Sequence, residues 1–220
     1  MQELTPIFLS LKLSFVTTII LFFICLYPAF YLSQKEFFGK KILLSIISLP
    51  LVLPPTVLGF YLLVLLSPNN YLGQFLANFD IKLVFNFKAL LIASIIYSMP
   101  FMFNPIYSAF NALPKNLFDR AKLLEKSQAN IIFRLCLPLI IPSIISASVM
   151  SFAHTMGEFG VVMMIGGSVA GETKVASIAV FEALETLDLN KANELSIILL
   201  AISFIILFAL QFIKQNKYKS

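Results

Sequence analysis

Long runs of apolar residues, broken by short polar and basic segments, dominate the pattern along this chain. A helix needs about 20 mainly apolar residues to cross the hydrocarbon core of a bilayer. Five runs reach that length, over residues 13–32, 42–66, 89–110, 135–165 and 195–213. They predict an all-α integral membrane protein of five transmembrane helices, or six if the fourth run divides. The fourth run is too long for one straight crossing, so it is expected to begin or end along a membrane surface. One membrane domain, residues 7–213, holds all five, with a polar loop at residues 111–134 between the third and fourth. Beyond the fourth run, Val175, Ile178, Ala179, Phe181, Leu184 and Leu187 recur at helical spacing opposite Glu182 and Glu185. This predicts an amphipathic helix lying against the outer face.

Composition removes the alternative of a water-soluble domain. Of 220 residues, 59% are hydrophobic and 12% charged, with a mean hydropathy of +0.92. Soluble domains carry roughly twice that share of charge. The net charge of +5 matters mainly through where the positive residues fall. With the N-terminus outside, Lys35, Lys40, Lys41, Lys115, Arg120, Lys122, Lys126, Arg134, Lys214, Lys217 and Lys219 lie inside, against Lys12, Lys82, Lys88, Lys174 and Lys191 outside. Short loops rich in Lys and Arg stay in the cytoplasm, so the expected arrangement is N-terminus outside and C-terminus cytoplasmic. The segment before the first run carries Glu3 and no positive region, and the run is about twice the length of a signal-peptide core. It is expected to remain as a span. Cys25 and Cys136 lie far apart in apolar runs and form neither a disulfide framework nor a metal-ligand spacing.

Prolines stand within the apolar runs, at Pro28, Pro50, Pro54, Pro55, Pro100, Pro105, Pro138 and Pro142. Each removes a backbone donor and bends a helix, and in lipid the freed carbonyls need neighbouring helices or a watery cavity. Four interrupted spans favour a transport path over a passive anchor. In the fourth run Ser143, Ser146, Ala147, Ser148 and Ser151 make one side small, a pattern that allows close helix packing. His154 and Glu158 are the ionisable groups of that run, four residues apart, and are expected near the outer interface where they can pair. Residues 166–173 read Gly-Gly-Ser-Val-Ala-Gly-Glu-Thr, close to a phosphate-binding loop, but Glu172 stands where that loop needs lysine. We therefore expect no nucleotide site, and no cofactor or metal bound by this chain.

The cytoplasmic loop carries the remaining signal. Pro114 ends the third helix, Asn116 caps a new one and Asp119 falls in its first turn. Leu117, Phe118, Ala121 and Leu124 then form an apolar ridge at helical spacing. Such a helix rests on headgroups or inserts into a partner's groove. Asp119-Arg120-Ala121, followed by Phe133, Leu137-Pro138 and Pro142, resembles the Glu-Ala-Ala loop of ABC-importer permeases. Asp119 replaces the glutamate, Arg120 the first alanine, and Glu125 stands at the usual glycine. Leu49-Pro50-Leu51-Val52-Leu53-Pro54-Pro55-Thr56-Val57-Leu58-Gly59-Phe60 resembles the proline-rich run of molybdate permeases of the ModB type. Gly157-Glu158-Phe159-Gly160 and Gly171-Glu172-Thr173 are similar to two further elements of that group. Sulfate and tungstate permeases carry weaker versions.

The resemblance covers nearly the whole chain and implies a type I ABC-importer permease of the cell membrane, a transport subunit and not an enzyme. It implies a homodimer with one pore at its interface, a separate cytoplasmic ATPase subunit, and an extracytoplasmic oxyanion-binding protein. The cargo would be a tetrahedral dianion, molybdate first, with tungstate or sulfate as alternatives. The coupling helix would comprise Leu117, Phe118, Asp119, Arg120, Ala121, Leu124 and Glu125. Pore or gate positions would fall among Pro54, Pro55, Thr56, Gly59, Ser151, Gly157, Glu158 and Gly160. Glu158 would repel a dianion, so its expected role is structural or gating. Two other classes compete. An intramembrane hydrolase needs a paired nucleophile and base or metal ligands within the bilayer, against which stand a single histidine and no H-E-x-x-H, while a passive scaffold leaves the broken spans and docking ridge unexplained.

Overall fold

The computed structural model describes residues 4–79, 81–114 and 130–217. The expected coupling helix, Leu117 to Glu125, lies outside the described residues. Among those described, every regular element is helical. In chain order they are α1 (Thr5–Gln34), α2 (Lys40–Ser48), α3 (Pro55–Leu66), α4 (Tyr71–Ala77) and α5 (Phe87–Asn111). Then follow α6 (Leu137–Gly157), α7 (Gly160–Gly166), α8 (Ala176–Glu185) and α9 (Leu189–Lys217).

The long helices sort their residues by face. In α1 the buried positions Ile7, Ser10, Ser14, Thr17, Leu21, Cys25, Ala29 and Leu32 recur every three or four residues. Phe8, Phe15, Ile19, Phe23, Tyr27 and Tyr31 stand exposed on the other side. Both faces are apolar, as expected where the surroundings of the bundle are lipid. At 30 residues α1 is longer than a bilayer core is thick. In α5, Leu90, Ser94, Ser98, Met102, Ile106 and Phe110 form a buried ridge at every fourth residue. Its start is fixed by Asn86, whose Oδ1 accepts from the Ala89 N–H at 2.9 Å. Helix α5 packs against both α1 and α6, and α8 packs against α9. Helix α9 exposes Ile197, Leu200, Phe204, Ile205, Leu207 and Phe208 and is the least covered span.

Two of the five runs are broken. The second, residues 42–66, divides into α2 with a 3-10 turn (Leu49–Leu51) and α3, at an angle of 109°. Consecutive Pro54 and Pro55 supply no N–H to the carbonyls of Pro50 and Leu51, and two adjacent gaps end the ladder instead of merely kinking it. The fourth run divides at Glu158, whose ψ of 134° is extended, and α7 begins at Gly160. Its start is also irregular, a π-helical turn over Ile131–Cys136. There the Leu137 N–H reaches back to the Ile132 carbonyl, widening the turn where the ring of Pro138 would otherwise strike the Arg134 carbonyl. The predicted amphipathic helix is present as α8, burying Ala176, Ile178, Ala179 and Ala183. Leu184 and Leu187 are exposed instead of joining that face.

Apolar packing falls into two main clusters at different depths. One gathers Leu21, Cys25, Phe30, Met102, Phe103, Ile106, Cys136 and Ile140. The other gathers Leu9, Leu13, Leu62, Leu90, Val161, Val162, Ile165 and Ile178. Between them along α1, α5 and α6 lies a buried polar layer of Ser14, Thr17, Ser94, Ser98, Ser151, Thr155 and Glu158. Both cysteines are free and buried.

Candidate functional site

The proline-rich run and the Gly-Glu-Phe-Gly element, a hundred residues apart in sequence, meet at the two helix breaks. Helices α3 and α7 pack side by side, and glycine sets the distance. A Cβ on Gly59 would lie 2.7 Å from the Met164 Cβ and 3.0 Å from the Val161 Cα. One on Gly160 would lie 2.7 Å from the Pro55 Cβ and 3.4 Å from the Thr56 nitrogen. Real Cβ atoms do not approach so closely, so at both positions only a hydrogen fits without backbone movement. Pro55, Thr56, Gly59 and Gly160 are therefore one assembled contact. Pro54 and Thr56 are exposed at its edge, and Gly157 is exposed with open space around it. Ser151 stands apart from this contact, fully buried on α6, with no hydrogen-bond partner for its hydroxyl.

Glu158 anchors the break between α6 and α7. It is 5% exposed, and its Oε2 accepts from the Ser94 hydroxyl at 3.1 Å. Its backbone carbonyl accepts from the Ser177 hydroxyl of α8 at 2.6 Å. Oε1 has no partner. The expected pairing with His154 does not occur, because Glu158 leaves helical geometry and its side chain turns to α5. His154 instead meets Ser98, whose Oγ lies 2.9 Å from the imidazole Nδ1 and 2.9 Å from the Thr155 Oγ1. Its ring stacks on Phe101 at 4.0 Å between centroids and lies 4.7 Å from Tyr97. Ser98 lies on a middle turn of α5, and Ser94 one turn nearer its start.

The third motif closes the same unit. Thr173 Oγ1 donates to the Gly166 carbonyl at 2.8 Å and accepts from the Val169 N–H at 2.9 Å. The turn this holds requires Gly167 at a φ of 59°, a conformation glycine adopts without strain. Ser10 of α1 accepts from the Ala176 N–H at 2.8 Å, fixing α8 to the bundle. Lys174 and Ser168 both bond the Glu182 carboxylate. Burial alone would raise that carboxyl; the bonds from Lys174 and Ser168, with the charges of Lys174 and Lys191, outweigh it and hold Glu182 below the usual glutamate range. Beside this pair opens a cavity of about 590 Å³, lined in part by Thr5, Gly171, Thr186, Asp188 and Lys191.

Sequence reasoning named the motif residues but missed their partners Ser94, Ser98, Ser10 and Ser177. Ser94 and Ser98, one turn apart in an apolar run, were a signal available in the sequence; the serines of α1 and α8 were not distinguishable from ordinary packing.

The whole arrangement is that of known importers. Residues 26–216 match the family described as "Binding-protein-dependent transport system inner membrane component". The molybdenum transport system permease protein ModB of Azotobacter vinelandii is 37% identical over 95% of this chain and 93% of its own. The sulfate transport system permease protein CysT of Salmonella typhimurium is 30% identical over 94% of this chain and 75% of its own. Among solved structures, a bacterial ABC transporter for the import of alginate matches with a TM-score of 0.81 at 17% identity, covering 98% of this chain and 79% of that one. The MetNI methionine ABC transporter in an inward-facing conformation matches at 0.71 and 15%, covering 98% and 95%. The fold is that of type I ABC-importer permeases. The chain belongs to the family of inner-membrane components of binding-protein-dependent transport systems, as a multi-pass transport subunit and not an enzyme.

Proposed function

We propose that this subunit carries molybdate inward as one of two identical copies around a single pore. The observation that carries this reading is the 37% identity to a molybdenum permease, extending over nearly all of both chains. Resemblance at three separated motifs supports it, and two of them meet where Gly59 and Gly160 leave no room for a side chain. A cytoplasmic ATPase pair binds the loop at residues 111–134, with Leu117, Phe118, Ala121 and Leu124 forming the inserted ridge around Asp119, Arg120 and Glu125. An extracytoplasmic oxyanion-binding protein delivers the cargo to the face that holds Gly171 to Thr173, and the C-terminus is cytoplasmic. ATP-driven closure of the ATPase pair moves the ridge and switches the pore between inward and outward access. Pro54, Pro55, Thr56, Gly59, Ser151, Gly157, Glu158 and Gly160 set the gate region, with Glu158 as an anchor and not a ligand contact.

Sulfate is the second reading, favoured by the 30% identity to a sulfate permease. A deletion strain separates the two. Loss of this subunit lowers molybdoenzyme activity at scarce molybdate, excess molybdate restores it, and growth on sulfate as sole sulfur source is unchanged. A sulfur requirement with intact molybdoenzymes overturns the molybdate assignment.

A further inference from the structure

We propose that His154 is an oxyanion contact on the translocation path, presenting its Nε2 to the passing dianion. The inference rests on the oxyanion-import reading and adds to it a residue that none of the motifs contains.

The first element is depth. Tyr97, Ser98 and Phe101 lie on the middle turns of α5, a 25-residue span, and His154 of α6 is held against them. The site lies between the two apolar clusters. The second element is exposure. Glu158, Ser94, Ser98 and Thr155 are buried, whereas His154, Tyr97 and Phe101 are only half-buried in the single chain. A half-exposed ionisable residue at this depth faces a bundle interior or a watery cavity, not lipid. The face of α5 and α6 that carries His154 therefore borders the water-filled path.

The third element is unfilled hydrogen-bonding capacity with fixed aim. Ser98 meets Nδ1 at 2.9 Å, and Phe101 and Tyr97 flank the ring, so its orientation is set. Among the described residues Nε2 has no hydrogen-bond partner. Ser98 can donate to Nδ1 while accepting from Thr155, which lies at the same distance. In that arrangement Nε2 carries the proton and becomes a donor directed away from Ser98. Imidazole has this capacity without permanent charge, which suits a pore that must release its cargo. No lysine or arginine of the described residues occupies the middle turns of α5 or α6. Glu158, the nearby acid, is turned to Ser94 and buried, so it does not compete for this face.

The test uses the full complex, with its ATPase and binding protein, in proteoliposomes and labelled molybdate as the probe. His154→Phe keeps a flat ring between Tyr97 and Phe101 but removes the donor, and His154→Gln keeps a donor. We expect His154→Phe to assemble and to retain ATPase stimulation by loaded binding protein, while uptake per ATP falls roughly ten-fold or more, as for loss of one hydrogen bond to an ion. His154→Gln retains most uptake, and Ser98→Ala falls between. In a background lacking Cys25 and Cys136, His154→Cys reacts with a small charged thiol reagent and is protected by molybdate, while Phe204→Cys on the outer face of α9 does not react. Wild-type uptake by His154→Phe overturns the proposal. So does equal loss of assembly and ATPase activity in the Phe and Gln variants, or a His154→Cys no more reactive than Phe204→Cys. If the wild-type complex moves sulfate and not molybdate, the substrate reading fails, and the same variants decide the role of His154 with sulfate as probe.

Discussion

Gly59, Gly157 and Gly160 look alike in the sequence, and only the packing separates them. Alanine at Gly59 or Gly160 forces backbone or a proline ring to move, and overpacking of this kind costs about 1–3 kcal/mol. Alanine at Gly157 meets nothing within 4 Å and relieves a glycine at a helix end, where glycine costs up to about 1 kcal/mol against alanine. Thermal unfolding of the purified subunit in detergent should show Gly59→Ala and Gly160→Ala lowered and Gly157→Ala unchanged or raised. A stable Gly160→Ala would mean that α3 and α7 do not touch as described. The same contrast shows why a motif is only partly legible as a string. The sequence marked these glycines together, but which of them is crowded depends on a helix a hundred residues away.

At the scale of elements, long apolar runs announced α1, α5, α6 and α9, because length and hydropathy are local properties. The break at Pro54 was local too, although read as a kink; two successive missing donors make it a 109° bend. The break at Glu158 was not local. It depends on Ser94 and Ser177, which reach it from α5 and α8, and helical spacing alone suggested a His154–Glu158 pair that the extended backbone forbids. The outer cap has its own test in pH. The Glu182 carboxyl lies below its usual range when folded. Its stabilisation is therefore present above the unfolded glutamate value and is lost as pH falls through the lower folded one. The effect is about 1 kcal/mol or less, since both partners are about 30% exposed. Protection factors for hydrogen exchange in the turn at residues 168–175, taken against the intrinsic rate at each pH, should fall on acidification, and in Glu182→Gln they should be low at every pH. Equal pH response in the variant would remove Glu182 as the cause.

For the whole molecule, charge placement favours the orientation that the proposed coupling to an ATPase demands. Single cysteines at Asn70 and Asn190 should react with an impermeant reagent from outside, and one at Asn116 should not, once Cys25 and Cys136 are replaced. Outside labelling at Asn116 would reverse the topology. The proposed docking ridge of Leu117, Phe118, Ala121 and Leu124 makes a second demand. Ala121→Asp should leave the subunit in the membrane yet release the ATPase, because a buried unpaired charge costs several kcal/mol. Co-purification of a full complement of ATPase would leave that helix resting on lipid. The central claim is that this chain, coupled to ATP hydrolysis, passes an oxyanion delivered by a binding protein. Proteoliposomes containing the subunit and its ATPase, supplied with the loaded binding protein, measure that directly with labelled molybdate, tungstate and sulfate. The account predicts ATP-dependent accumulation of molybdate and tungstate at similar rates, and none without the binding protein. Accumulation of sulfate alone, or of no oxyanion by an assembled complex that hydrolyses ATP, would contradict it.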